Sequence, residues 1–515
     1  MAALSAEDAA TALTERVEAR RVAASAALPP AQQARLGQFF TPERAAELIA
    51  DMPRLPESVD AVRVLDPGAG VGSLAAALVA RAMREHVRFR IEIVAIEIDE
   101  VTAGYLAATL ADLTATAAHQ GLEVITSTVL GDFVELSTST QDRPAPLGGP
   151  FDIVIMNPPY HKLGVQSWHR QAMLTQGVEC SNIYAAFLAL GALALDDGGQ
   201  LVAITPRSFA NGPYFGQFRR FLLDRVVLDR LHVFESRSTV FSDTGVLQEN
   251  VVFSATRSGH ATEVVLSVSR GHVDELVERV VAYSDVVHPD DTQRFIRILA
   301  AETDTAIAQQ FAAQPAQLQD LGVKVSTGKV VDFRARRHLR PHPGSGSVPL
   351  VYPGNLSSGE IDWPREIRKD QAFRVMSPAD ERKYLLPEGY YVAVKRFSAK
   401  EERRRVVAAV WDPAVYPGPV AFENHLNVFH DNGQGLSREI AIGLSYWLNS
   451  SLVDSFFRTF SGHTQVNATD LRTLRFPTRA ALESLGKEQN VRLPEQGEID
   501  AIVEALLERG SAAAA

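Results

Sequence analysis

From residue 62 to residue 257, short apolar segments alternate with helical ones, and this alternation constrains the fold of the 515-residue chain more than any other feature. VRVLD (62–66), IEIVAIEID (91–99), EVITSTVL (123–130), FDIVIM (151–156) and LVAIT (201–205) read as strands. Helical stretches follow at Leu74 to about His86, up to His119, at 183–195 and at 216–223, with DDGG (196–199) as a turn. RLHVFE and ENVVFSA close the series as the last strands. Strands that are apolar throughout and separated by helices require a mainly parallel sheet covered on both faces. Past about residue 300 the rhythm stops. Pro/Gly-rich pieces such as RPHPGSGSVPL separate short strands like GYYVAVKRF, and EIAIGLSYWLNSSLVDSFFRTF reads as one helix. The expected layout is a helical extension over 1–30, an α/β domain over 31–310 and an irregular α+β domain over 311–515.

Charge divides along the same line. The chain carries −11, yet between Leu321 and Arg475 there are 22 Lys+Arg against 16 Asp+Glu, a surplus of six that leaves −17 on the rest. Such asymmetry suits an acidic front and a back facing a polyanion. The lone cysteine, Cys180, excludes a disulfide framework and a thiolate cluster. No metal-ligand spacing is present, so no metal is expected. No apolar run reaches the roughly 18 residues of a membrane span, and the Ala-rich N-terminus has no signal-peptide core. A cytoplasmic protein without membrane contact is the expectation.

The chemistry lies at the strand ends. LDPGAGVGSL follows one strand and opens a helix, so Gly68 and Gly70 let a ligand approach backbone N–H groups, although such a turn can also be merely tight. Glu97 ends the second strand, where an acid can accept both hydroxyls of a ribose. After the third strand comes GDF (131–133), in which Asp132 can bond an adenine amine and Phe133 can cover its ring. The fourth strand runs into NPPY (157–160). An amine on an aromatic ring is a poor nucleophile because its lone pair is delocalised. Two acceptors that take both its hydrogens, the Asn157 side-chain oxygen and the Pro158 carbonyl, would free that lone pair. Tyr160 offers a face for the base.

In the order GQFFTP, DPGAGVG, IEID, GDF, NPPY and then a separate domain, the sequence resembles the gamma group of N6-adenine DNA methyltransferases. Later segments, including VFSDTGVLQENVVF, ENHLNVFH and SGHTQVNATDLRTLRFP, resemble the TaqI-like modification enzymes and more closely their PstI/BsuBI-like branch. The resemblance implies a Rossmann-like S-adenosylmethionine-dependent catalytic domain and a C-terminal α+β target-recognition domain. It implies that Phe40 and Thr41 hold the methionine end of the cofactor, with Asp66, Gly68 and Gly70 along it, Glu97 on its ribose, and Asp132 and Phe133 at its adenine. Asn157, Pro158 and Tyr160 would grip a flipped adenine, with Phe241, or its rival Phe234, on the opposite face. Double-stranded DNA is the implied partner, and a cognate restriction endonuclease would sit on a separate chain.

Sequence choice then falls to the back of the chain. Arg334, Arg336, Arg337, Arg340 and the run Arg403, Arg404, Arg405 are candidates for phosphate or guanine contacts. Asn424, His425, Asn427, His463, Thr464, Gln465 and Asn467 can read base edges or phosphates. Competing readings are a type I-like modification subunit that needs a partner for specificity, an RNA or protein-glutamine methyltransferase, and a DNA-binding protein with an inactive methyltransferase fold.

Overall fold

Leu13 and Val17 lie one helical turn apart on α1 (Ala6–Ala27), and both are buried against the first large sheet domain. Burying two such side chains is worth about 1.5–3 kcal/mol each. Arg16 adds a two-pronged bond to Asp112, with Arg20 on the same carboxylate. Residues 6–27 are therefore part of the front core, not a separate extension. The computed structural model describes residues 4–29, 37, 39–139, 144–234, 250–269, 277–299, 302–398, 402–460 and 465–514. The chain forms two units, Met1–Ala300 and Ala301–Ala515.

The front unit continues through α2 (Glu43–Ala50), β1 (Ala61–Pro67), α3 (Ser73–Arg84), β2 (Arg90–Glu97), α4 (Glu100–His119), β3 (Val124–Leu130), α5 (Phe133–Thr138) and β4 (Phe151–Met156). Then come α6 (Trp168–Thr175), α7 (Ile183–Ala194), β5 (Leu195–Pro206), α8 (Gly216–Leu223), β6 (Val226–Phe234), β7 (Asn250–Arg257), β8 (Glu263–Ser269) and β9 (Val277–Ala282). The sheet order is β3-β2-β1-β4-β5-β7-β6-β8-β9. β3, β2, β1, β4 and β5 run parallel, and β7 is antiparallel to both β5 and β6. The expected Rossmann-like, mainly parallel sheet is thus present.

One local expectation fails. DDGG is not a free turn but lies within β5, as a bulge. Phe151 pairs with Leu195, whereas Ile153 pairs with Gln200, and Gly198 supplies the left-handed residue at φ 80°.

The back unit holds a six-stranded and a five-stranded sheet, flanked by helices, as the α+β expectation requires. Its first helix, Glu302–Ala312, stacks Phe311 on Phe456 with ring centroids 3.7 Å apart. The unit boundary consequently precedes the expected 310. The long rear helix is two, Arg438–Leu448 and Ser451–Phe460. Asn449 interrupts it by pairing with a strand edge: its Nδ2 donates to the Ala408 carbonyl, and its Oδ1 accepts from the Ala408 N–H.

Candidate active site

β1 and β4 are neighbours, but the chain proceeds from them towards opposite edges of the sheet. Their C-terminal ends therefore flank the crevice in which open α/β sheets bind ligands. The turn after β1 is pinned there by two bonds from the Gly68 and Ala69 N–H groups to the Ile96 carbonyl, both 2.8 Å. Gly70 has φ 58°, and a Cβ on it would stand 2.9 Å from Phe40 Cδ1. Only glycine lets the Phe40 ring close over this turn. Phe40 and Thr41 are thereby brought to the crevice from a segment that precedes β1.

Three acids stand at successive strand ends. Asp66 is fully buried and neither carboxyl oxygen makes a hydrogen bond. Burial and then the nearby Glu97 carboxylate push its pKa up to about 8, which the facing Ala75 N–H offsets only in part. Glu97 accepts from Gly70 N–H at 2.9 Å on one oxygen, and from Ile98 and Asp99 N–H at 3.0 and 2.9 Å on the other. Burial raises its pKa against the pull of those three donors. Asp132 caps α5 through Val134 and Glu135 N–H and receives His169 Nε2 at 2.8 Å on its other oxygen. Burial alone would raise the Asp132 pKa; His169 and the cap donors outweigh it and leave it lowered, while His169 is raised in turn.

Asn157 leaves β4 with its amide orientation fixed. Nδ2 donates to the Phe39 carbonyl at 3.1 Å and to Thr41 Oγ1 at 3.0 Å. A carbonyl only accepts, so the flipped amide would set two acceptors against each other. Oδ1 faces the Tyr160 hydroxyl at 3.1 Å, and that hydroxyl also lies 3.1 Å from the Ile204 carbonyl. One hydroxyl hydrogen cannot serve both acceptors fully, so Tyr160 can turn to Ile204 and release Oδ1. Burial pushes the Tyr160 pKa up, which keeps the phenol protonated. Among the described residues none donates to the Pro158 carbonyl.

Phe40, Thr41, Gly68, Gly70, Glu97, Asp132, Phe133 and Asn157 border one cavity of about 240 Å³. Asp66, Pro158 and Tyr160 are not in its wall. Phe133 tilts against Phe187, with centroids 5.0 Å apart, and both rings line it. Sequence reasoning missed Phe187, His161 and His169, which also line the cavity. They come from β4–α6–α7, at no spacing a motif prescribes, and meet Asp132 only when α5, α6 and α7 pack. Phe234 is a core residue, 5% exposed and edge-on to His232. Phe241, His463 and Thr464 lie outside the described residues.

The rear candidates divide. Arg334, Arg336, Arg337 and Arg403 are exposed. Arg340 donates to the Arg337 and Leu339 carbonyls. His425 is exposed and bonded to Glu423, Asn424 is half-buried, and Gln465 pairs with Phe397. Two of the others correct the expectation. Arg405 and Asn427 are wholly buried, the first on Ser398 and the second on the Val466 carbonyl, so neither reaches a duplex. Arg404 is bonded to the Ser450 carbonyl and Gln496. Asn467 caps helix Ala468–Arg472 in a reciprocal pair with Asp470.

A family model for the Eco57I restriction-modification methylase matches residues 132–241. The chain is 39% identical over 512 residues to the type II methyltransferase M.BsuBI of Bacillus subtilis, covering 98% of this chain and 100% of that one. It is 37% identical over 490 residues to the type II methyltransferase M.PstI of Providencia stuartii, covering 95% and 96%. Among solved structures, the type IIL restriction-modification enzyme MmeI in complex with DNA is similar at a TM-score of 0.52 and 10% identity. That match covers 98% of this chain and 74% of that one, and is a likeness of fold.

Proposed function

We propose that this chain, which belongs to the type II methyltransferases of restriction-modification systems, transfers a methyl group from S-adenosylmethionine to the N6 amine of an adenine in double-stranded DNA. The observation that carries this reading is the position of Asn157. It borders the same cavity as Thr41, Glu97 and Asp132, and its amide nitrogen is held by the Phe39 carbonyl and Thr41, which leaves Oδ1 as the end that can accept from a target amine.

The cavity fits the methyl donor. Phe133 and Phe187 provide an apolar wall on which an adenine ring can lie, near the Asp132 carboxylate. Glu97 keeps one acceptor position, on the oxygen bonded to Gly70, for a ribose hydroxyl, and Thr41 offers a hydroxyl to a carboxylate. Asp66 lies at the end of β1 outside the cavity wall, and a positive centre in the cavity would favour its carboxylate over the protonated form that burial favours. When bound, S-adenosylmethionine supplies a methyl already activated by its sulfonium. The protein then has chiefly to align two reactants, a contribution that reaches about 7–11 kcal/mol in well-oriented cases.

At the target amine, Asn157 Oδ1 and the Pro158 carbonyl accept the two hydrogens and return the lone pair to nitrogen. The Phe39 carbonyl and Thr41 hold the Asn157 amide so that Oδ1, not Nδ2, faces the amine. The target must leave the duplex, at a cost of roughly a few kcal/mol. Stacking on Tyr160, with Phe241 assigned to the other face, offsets about 1–3 kcal/mol per ring. The back unit selects the site, and cleavage belongs to a separate endonuclease chain.

The test is product analysis. The purified chain, duplex DNA and labelled S-adenosylmethionine should yield N6-methyladenine after digestion to nucleosides. Label found wholly in methylcytosine, or no label in DNA, would overturn the reading.

A further inference from the structure

ENHLN offers polar side chains for base edges or phosphates, and in the structure these side chains differ in kind. Asn427 is buried, and Glu423 is buried with both oxygens turned on one neighbour. One Glu423 oxygen meets His425 Nδ1 at 2.7 Å, and the other accepts the His425 backbone N–H at 2.9 Å. His425 itself is exposed, with 46% of its side chain accessible. A buried carboxylate that holds an exposed imidazole by Nδ1 fixes the ring plane and leaves Nε2 as its free polar atom.

The turn that carries the pair is held on all sides. Glu423 N–H bonds the Val351 carbonyl, Asn424 N–H bonds the Val330 carbonyl, and Arg396 N–H bonds the His425 carbonyl, at 2.8–3.0 Å. Gly328 packs so closely that a Cβ there would fall 2.2 Å from the Glu423 carbonyl oxygen. Phe397, itself 45% exposed, lies against the imidazole with centroids 5.0 Å apart.

The surroundings point to a polyanion. Arg396 precedes Phe397, and the strand partner of Glu423, Val330, leads directly into the turns carrying Arg334 and Arg336. Among the described residues no carboxylate lies within 4 Å of Arg334, Arg336 or Arg396. Asp332, on the same segment, is neutralised by Lys369 at 2.7 Å. Arginines without a carboxylate partner, around a rigid, outward polar group, are what phosphate positioning plus base-edge reading require.

We propose that His425, held in register by Glu423, is a base-reading side chain of this protein, taking one base edge in the major groove of duplex DNA while the flanking arginines take phosphates. Glu423 is a positioning residue, not a contact. The inference rests on DNA being the substrate.

The experiment maps the methylated site of the full-length wild type by sequencing, then measures methylation rates on duplexes in which each base pair of that site is varied singly. His425→Ala should lose about 10- to 100-fold discrimination at one base pair and keep it at the others. Cofactor affinity by calorimetry should be unchanged. Glu423→Gln keeps a bond to Nδ1 without the charge, and should lose part of the discrimination at that same base pair. A uniform loss across all sequences would make His425 a phosphate contact and overturn the inference, as would wild-type selectivity in both variants. A wild type that methylates no DNA would instead overturn the proposed function itself.

Discussion

Candidate residues converge in the front unit and scatter in the back unit. Thr41, Glu97, Asp132 and Asn157, spread over 117 residues of sequence, border one cavity. Asn424, His425 and Asn427, within four residues, go to three different environments. In a parallel sheet the C-terminal strand ends all open on one edge, so a polar residue just past a strand has one place to go. In the back unit the chain passes from a turn at Asn424 and His425 into a short strand, Leu426–His430, that is buried at every position, so a polar residue there can serve the interior as readily as a ligand. The lesson is that a motif's position relative to its strand carries more than its polarity.

The largest expected effect tests the convergence. Asn157→Ala removes the oriented acceptor but leaves the acids of the cavity in place. Turnover should fall on the order of 10³-fold, comparable with removing one preorganised polar group elsewhere, while S-adenosylmethionine affinity changes little. Glu97→Ala should show the reverse pattern, with weakened binding first. Equal loss of binding in both variants, measured by calorimetry, would mean that the cavity does not divide into a donor side and a target side.

Next comes the buried acid. The Asp66 pKa, pushed up to about 8 in the folded chain, lies above its unfolded value. The unfolded chain therefore gives up this proton first as pH rises. Stability is lost from about pH 4 up to about 8 and is level above that, by at most about 1.4 kcal/mol per pH unit. Thermal melts between pH 5 and 8.5 should show this decline in the wild type and a flatter profile in Asp66→Asn. Saturating S-adenosylmethionine should reduce the wild-type slope, because a nearby positive centre favours the carboxylate. A wild-type profile as flat as that of the variant would show that Asp66 has a cation already.

How much could be read beforehand follows from where each constraint originates. The sheet was legible because both faces of β1, β2 and β4 are covered, and NPPY was legible because a buried strand running into two prolines has few structural explanations. The DDGG bulge was not, since only the pairing of β5 with β4 distinguishes it from a turn. Nor was the break at Asn449, whose cause is a strand 41 residues away. His169 was invisible for the same reason: its partner, Asp132, lies 37 residues earlier on another element. Contacts made by tertiary packing leave no spacing to find.

The scatter in the back unit is tested on stability. Asn427→Ala deletes a wholly buried amide whose Nδ2 bonds the Val466 carbonyl at 2.7 Å, and leaves that acceptor unpaired. We expect a loss of about 1–3 kcal/mol in denaturant unfolding. Base selectivity at conditions where the variant is folded should be unchanged. Relaxed selectivity with unaltered stability would return Asn427 to the set of readers.

The smallest effect separates the two kinds of arginine in that unit. Arg334 is exposed, its guanidinium lies 5.4 Å from the exposed Phe333 ring, and no described carboxylate pairs with it. Its removal should change stability by less than about 0.5 kcal/mol. If it neutralises a phosphate, the slope of log K for DNA against log salt should flatten by about 0.9, alike for cognate and unrelated duplexes. Arg404, in the same unit, is half-buried and is bonded to the Ser450 carbonyl and Gln496. Arg404→Ala should therefore lower the melting temperature and leave the salt slope as it is. Salt titrations of the two variants side by side decide the matter: if both flatten the slope equally, burial does not sort the arginines of this unit, and the arginine run at 403–405 faces DNA after all.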